Sequence, residues 1–140
     1  MGTNTEFDTD VVIVGAGPMG ATTALALATY GVRAHIVSRF NWLADTPRAH
    51  ITNQRTMEVY RDLQIEEEVL RHATEWDQMG DSLFATSLAG EELIRLRAWG
   101  TGDARHGDYV QGSPCNVVDI IQPEIEPIRV QKRRPARGYV

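Results

Sequence analysis

Asp10-Val-Val-Ile-Val-Gly15-Ala-Gly17-Pro18-Met19-Gly20 is the stretch that decides the fold. A short apolar run enters a Gly-x-Gly-x-x-Gly turn, and Ala21 to Tyr30, rich in Ala and Leu, reads as the helix that leaves it. Each glycine has a separate task at a dinucleotide pyrophosphate. Gly15 turns the chain sharply out of the strand, Gly17 lets phosphate reach the backbone, and Gly20 lets the helix lie close to the sheet. Pro18 and Met19 complete the same phosphate-facing loop, and the helix N-terminus adds free N–H groups and the positive end of its dipole. Gly31 falls where a helix-ending glycine belongs, and Val32 to Val37 reads as a second strand. Strand, turn, helix and strand are thus complete within about 30 residues, the length of a βαβ unit. The expected fold class is α/β, with a Rossmann-like βαβ domain.

One part of the dinucleotide fingerprint is missing. An acidic residue usually follows the second strand and takes the ribose 2′-hydroxyl, but Ser38 and Arg39 stand there. Ser38 can still hydrogen-bond a ribose hydroxyl, and a Ser-Arg pair also suits a 2′-phosphate. The glycine motif therefore leaves FAD, NAD and NADP open.

Composition sets the outer bounds. The 140 residues suffice for one compact domain, and a hydrophobic content of 42% suits a globular chain. No run is long and apolar enough to span a membrane, and residues 1–9 form a polar, acidic leader without the pattern of a signal peptide. The single cysteine, Cys115, excludes an intrachain disulfide and a cysteine metal cage, so no metal site and a reducing cytoplasm are expected. The net charge of −5 hides an asymmetry: every acidic residue precedes position 127, while Arg129, Lys132, Arg133, Arg134 and Arg137 crowd the end. Residues 129–140 read as a basic, disordered tail. No aromatic-rich basic face accompanies them, so a nucleic-acid partner is not expected.

Between these ends the pattern gives further elements. Phe40 to His50 is a polar connection. Thr52 or Asn53 can cap a helix whose Met57, Tyr60 and Leu63 form one apolar edge, and Gln64 interrupts it. Ile65, Val69 and Leu70 mark a second short helix with Glu66, Glu67 and Glu68 in its first turn. Ser82 to Leu88 and Glu92 to Arg97 read as a hairpin about Ala89-Gly90-Glu91. Trp99 to Gly112 is polar and glycine-containing and reads as loops. Val117 to Ile121 is a short apolar run. Gln122-Pro123 opens a helix that aligns Ile121, Ile125 and Ile128 on one face.

The segment Asp45-Thr-Pro-Arg48-Ala-His50-Ile-Thr-Asn-Gln54-Arg55-Thr-Met-Glu58 narrows the cofactor. With Ala-Leu-Ala-Thr-Tyr-Gly before it, Ser-Leu-Ala-Gly-Glu-Glu-Leu after it, and Gln122 with Glu126-Pro127-Ile128, it resembles the flavoprotein aromatic hydroxylases of the phenol-hydroxylase group, which include the chlorophenol monooxygenases. The likeness spans about residues 10–128 and not the basic tail. It implies FAD on the glycine turn, with Gly15, Gly17, Pro18, Met19 and Gly20 at the pyrophosphate, and Ser38 and Arg39 beyond the second strand. It also implies a Pro-Arg-Ala loop bringing Arg48, a Gln-Arg-Thr helix bringing Arg55, and Gln122 near the ribityl chain. Both arginines can pair with phosphate oxygens; a surface ion pair is the alternative for each, and a helix cap for Gln122.

The same resemblance implies that NADPH reduces the flavin, that reduced flavin activates O₂, and that a small-molecule phenol is hydroxylated. A base that ionises the phenol helps such chemistry, and His50 is the candidate, with a hydrogen-bonded loop histidine as the alternative. A homo-oligomer is left open. Members of the group are several times longer and carry later Gly-Asp and Asp-Gly motifs. Gly102-Asp103 and Gly107-Asp108 come too early to be the former. The chain therefore reads as an N-terminal part of such an enzyme, incomplete and inactive alone, with a tail that fits a reading-frame change. A stand-alone NADP-binding module or small dehydrogenase, suggested by Ser38-Arg39, and a non-enzymatic remnant are the other readings.

Overall fold

A computed structural model describes residues 8–40 and 48–132. The described chain forms two compact units, one of residues up to Ala49 and from Gln122 on, the other of His50–Ile121. The leader before residue 8, the connection at 41–47 and the tail at 133–140 lie outside the described residues.

The first unit contains β1 (Val11–Val14), α1 (Pro18–Thr29), β2 (Ala34–Val37) and, from the far end of the sequence, α5 (Gln122–Lys132). The two strands pair in parallel, Val11 opposite Ala34 and Val14 opposite Val37, as the βαβ reading requires. Arg33 fixes their entry by gripping Asp10, Nη2 to Oδ1 at 2.9 Å and Nε to Oδ2 at 3.2 Å. Helix α1 starts three residues earlier than its composition suggested, because Pro18 fits the first helical turn. It ends on Gly31, whose φ of +75° only glycine adopts without strain. The amides of Gly31 and Val32 return to the carbonyls of Ala28 (3.1 Å) and Leu27 (2.9 Å), the paired bonds of a Schellman motif. Ala21, Ala24 and Leu25 are buried on α1, and Ile125 and Ile128 on α5, which packs against it. Ile121, expected on the same face, precedes α5 and is 37% exposed.

The sequence pattern placed the start of a disordered tail at 129. Helix α5 instead runs to Lys132, and Arg129 within it is 4% exposed. Residues 129–132 thus continue the helix that Gln122-Pro123 opens, and basic composition alone concealed a turn with a buried side.

The second unit holds β3 (Ile51–Thr52), α2 (Gln54–Asp62), α3 (Glu66–His72), a single 3₁₀ turn at Trp76–Gln78, β4 (Asp81–Ala85), β5 (Glu92–Arg97), α4 (Asp103–Gly112) and β6 (Val118–Asp119). Asn53 caps α2 by accepting the Thr56 amide at 2.9 Å. Gln64 breaks the chain after it with φ +58°. The apolar edge Met57, Tyr60, Leu63 is buried together with Ile65, Val69, Met79, Cys115, Val117, Val118 and Ile120. Strands β4 and β5 form an antiparallel hairpin, and β3 pairs antiparallel with β6.

The stretch Trp99 to Gly112, expected to be loops, corrects to a loop followed by α4. Gly102 supplies the extended residue before it, Asp103 lies in its first turn, and Arg105 pairs with Asp108 one turn on at 2.9 Å. Contacts distant in sequence hold it: the Trp76 indole stacks on His106 at 4.7 Å and donates to the Trp99 carbonyl at 2.7 Å. Its glycines hid a helix that tertiary packing sustains.

A polar knot closes this unit. Arg61 holds Glu66 through two hydrogen bonds, Nε to Oε2 at 2.6 Å and Nη2 to Oε1 at 2.9 Å, and donates to the Pro114 carbonyl at 3.0 Å. The Arg61 guanidinium, helped by the Cys115 thiol, holds the Glu66 carboxyl below the usual carboxylate range. Burial, with Glu66 beside it, pushes the Cys115 thiol up, so that it stays a neutral, unreactive thiol. Because Glu66 is more acidic folded than unfolded, its contribution is present above the unfolded value of about 4.3 and is lost as pH falls through the lower folded value. Chemical denaturation between about pH 6 and pH 3 should show wild-type stability falling more steeply than that of Glu66→Gln; parallel profiles would contradict this account.

Candidate functional site

The glycine turn is built by three local geometries. Gly15 leaves β1 with φ +107°, and its amide donates to the Val37 carbonyl at 2.7 Å, so the turn is anchored to the end of β2. Gly17 is the N-cap of α1, with extended backbone. A Cβ built on it meets nothing within 4 Å, which leaves the backbone open to a ligand. Gly20 is the opposite case. A Cβ there would collide with the Gly15 carbonyl oxygen and lie 3.3 Å from Ile13 Cγ2. Open approach at Gly17 and close approach at Gly20 are the two features a pyrophosphate-binding βαβ turn needs.

The electrostatics agree. Ala21 is the first residue whose amide closes onto the helix, reaching the Gly17 carbonyl at 2.9 Å. The amides ahead of it have no partner inside the helix, and Pro18 has none to offer. No acidic residue occupies the first turn of α1, so its positive dipole end is not neutralised from within. Met19 is 82% exposed beside this opening.

Ser38 and Arg39 follow β2 directly, and parallel pairing puts the end of β2 beside the glycine turn. Ser38 Oγ accepts the Phe40 amide at 3.2 Å, and the Arg39 guanidinium lies 4.7 Å over the Phe40 ring. Both side chains are exposed. Arg48 is exposed and makes no ion pair among the described residues. Gln122 begins α5 and donates to Glu126 Oε1 at 2.6 Å, one turn on, rather than capping the helix.

In the second unit Arg55 stands in the first turn of α2 and pairs with Glu58 at 2.6 Å, which uses one of its five N–H donors. That pair, with Ser113, holds the Glu58 carboxyl below its usual range. His50 Nδ1 lies 3.0 Å from Asp119 Oδ1. Sequence reasoning missed two residues here. Gln54 donates from Nε2 to the carbonyls of Tyr109 (2.7 Å) and Cys115 (2.9 Å), tying α2 to α4 and to the approach to β6. Asp119 is the other; its signal was an acid standing inside the apolar run Val117 to Ile121. Beside Gln54 lies a cavity of about 580 Å³, walled by Phe84, Leu96, Trp99 and Tyr109 with Arg97 and Arg105. Among the described residues no group of three or more His, Cys, Asp or Glu could hold a metal ion, and no helix is long and apolar enough to cross a membrane.

A family model described as "FAD binding domain" matches residues 8–139. The chain is 50% identical over 124 residues to 2,4-dichlorophenol 6-monooxygenase of Cupriavidus pinatubonensis (strain JMP 134), covering 89% of this chain and 21% of that protein. It is 46% identical over 131 residues to phenol 2-monooxygenase of Pseudomonas sp. (strain EST1001), covering 94% and 21%. Among solved structures, the flavin-dependent monooxygenase PieE in complex with FAD and substrate superposes with a TM-score of 0.83 at 43% identity, covering 89% of this chain and 22% of that one. Aklavinone-11 hydroxylase, in a ternary complex with FAD and aklavinone, gives 0.76 at 30% identity, covering 92% and 24%. The chain spans about a fifth of the length of the curated relatives it matches. The family match also extends past residue 128, where the sequence reading ended the likeness. The chain belongs to the FAD-binding domain family, whose cofactor is FAD.

The two glycines should separate under substitution. Gly20→Ala should destabilise the folded chain by roughly 1–3 kcal/mol, since the turn or the helix must shift to admit a methyl. Gly17→Ala should stay within about 1 kcal/mol of wild type. Denaturant titration of both variants checks this, and equal stabilities would contradict the close approach of α1 to β1.

Proposed function

We propose that this chain supplies the pyrophosphate-binding part of a flavin-dependent monooxygenase that hydroxylates phenols or chlorophenols with NADPH and O₂. The observation that carries the reading is the glycine turn, open at Gly17 and closed at Gly20, in a chain 46–50% identical to phenol and dichlorophenol monooxygenases. FAD, once reduced, supplies the oxygen-activating chemistry; the protein's share is binding, orientation and electrostatics.

Each residue has a place in that division. Gly15, Gly17, Pro18, Met19 and Gly20 present backbone N–H groups and an unopposed helix dipole to the pyrophosphate. Ser38 takes a ribose hydroxyl where a carboxylate is usual, and Arg39, lying over Phe40, adds a cation beyond β2. Arg48, without an ion pair among the described residues, is available to a phosphate oxygen, and Arg55 keeps donors beyond those Glu58 uses. Gln122, held by Glu126, faces the ribityl chain. His50 accepts the phenolic proton, which makes the ring more nucleophilic. Hydroxylation is proposed for a polypeptide that carries the remaining parts of the longer relatives. The 140 residues alone are proposed to bind flavin without turning over. A cytoplasmic setting suits NADPH as reductant and the neutral Cys115 thiol.

Ser38-Arg39 is the one observation that favours NADP instead, so the test puts the two ligands in competition. The purified chain should bind FAD, read by flavin absorbance and fluorescence, and excess NADP should not displace it. Gly17→Val, which puts a branched side chain where phosphate approaches, should weaken FAD binding at least about tenfold, or roughly 1.4 kcal/mol, while the chain stays folded. Normal flavin retention in Gly17→Val, or NADP binding in preference to FAD, would overturn the reading.

A further inference from the structure

We infer that Glu126 is a positioning residue for Gln122, turning the nitrogen of its side-chain amide toward a buried carboxylate and leaving the carbonyl oxygen as an acceptor for a ribityl hydroxyl. The inference rests on the flavin reading of Gln122 given above and adds to it the group that sets its orientation.

Gln122, Glu126 and Arg129 stand at i, i+4 and i+7 of α5 and so share one face of that helix. Glu126 is 2% exposed and Arg129 is 4% exposed, while Gln122 at the helix start is half-buried. A buried ion loses solvation that its partners return only in part, so this polar stripe is weak evidence for stability. What it fixes is the amide of Gln122.

Gln122 Nε2 donates to Glu126 Oε1 at 2.6 Å, the short distance of a charge-assisted bond. A carboxylate only accepts hydrogen bonds, so the reverse flip of the amide would set two acceptors face to face. The Gln122 carbonyl oxygen makes no hydrogen bond among the described residues, and Nε2 keeps a second N–H. A polyol hydroxyl both donates and accepts, and matches that pair of groups. An amide already held in place also has less rotamer freedom to lose when a ligand arrives. Gln54 shows the opposite use of the same side chain. Its Nε2 goes to the carbonyls of Tyr109 and Cys115, so both N–H groups tie segments of the fold together.

A staple for the helix is the other role open to the pair. Pro127 lies inside α5 and has no N–H for the carbonyl one turn before it. The Gln122–Glu126 bond therefore spans a turn that is short of a backbone bond. The two roles part on one point. A staple affects every ligand of the first unit alike, whereas a positioning residue affects only a ligand that carries a ribityl chain.

The test compares FAD with ADP, which has the adenosine and the diphosphate but no ribityl chain, by calorimetric titration of the full 140-residue chain. Gln122→Ala should weaken FAD binding about tenfold and leave ADP within about twofold of wild type. Glu126→Gln, of nearly equal size, should weaken FAD about three- to tenfold and again spare ADP. The double variant should bind FAD no worse than Gln122→Ala, because Glu126 acts through Gln122. Should Glu126→Gln fail to fold, Gln122→Ala and the wild-type NMR spectrum decide: one Gln122 side-chain N–H should resonate downfield of ordinary glutamine amides. Equal losses for FAD and ADP, additive losses in the double variant, or a Gln122 amide at its ordinary position would overturn the assignment. Full FAD affinity in folded Glu126→Gln would sink this inference alone. A wild-type chain that does not bind FAD would count against the flavin reading, and the inference would fall with it.

Discussion

The missing side chain of Gly20 is the constraint on which the first unit depends. It lets α1 come down onto the Gly15 carbonyl and Ile13, an approach that any Cβ would block. Once the helix lies there, its N-terminus sits directly over the end of β1, and Gly15 must take φ +107° to make the turn. The Gly15 amide is then placed for the Val37 carbonyl, which fixes β2 beside β1 and brings Ser38 and Arg39 to the same end. The character of the glycine turn is a consequence of this packing more than of side-chain chemistry. Backbone amides, a dipole and an empty volume at Gly17 are what the turn offers, and the small side chains of Ala21 and Ala24 keep the helix close enough to offer them.

The second unit follows a different logic, in which polar side chains tie loops to a small apolar core. Gln54 satisfies two carbonyls from separate segments, and Arg61 joins Glu66 to the loop before Cys115. Such bonds contribute modestly when made and cost more when broken with a partner left buried. They act chiefly on geometry: they set where the 115–120 segment runs, and hence where Asp119 meets His50. Charge-assisted pairs serve the same end at Glu58, which accepts from both Arg55 and Ser113.

What could be read in advance follows sequence distance. The βαβ unit was legible because its determinants are local: three glycines, a proline at the helix start, a glycine at its end and period-specific apolar runs. The Asn53 cap and the edge Met57, Tyr60, Leu63 were legible for the same reason. Helix α4 was not, because its own residues include Gly107 and Gly112, and it is held from outside by Trp76, stacked on His106. The last turn of α5 was hidden by a composition that marks tails. The contact between His50 and Asp119 was not legible either, because the two lie 69 residues apart and no spacing rule joins them.

The charge balance bears on how an acidic chain, net −5, is suited to an anionic cofactor. Net charge acts at long range and is screened beyond a Debye length of about 8 Å at physiological salt. Inside that distance of the turn, α1 has no acid in its first turn and the next charged side chain after β2 is Arg39. Several carboxylates are paired with arginines: Asp10 with Arg33, Glu66 with Arg61, Glu58 with Arg55, Glu92 with Arg95. Each such pair is weak as a contribution to stability. Ser38 stands after β2 where a carboxylate is usual, which keeps a further negative charge from that end of the turn. On the reading proposed above, this leaves the pyrophosphate end, at the glycine turn, as the part of the cofactor that the first unit is best equipped to hold.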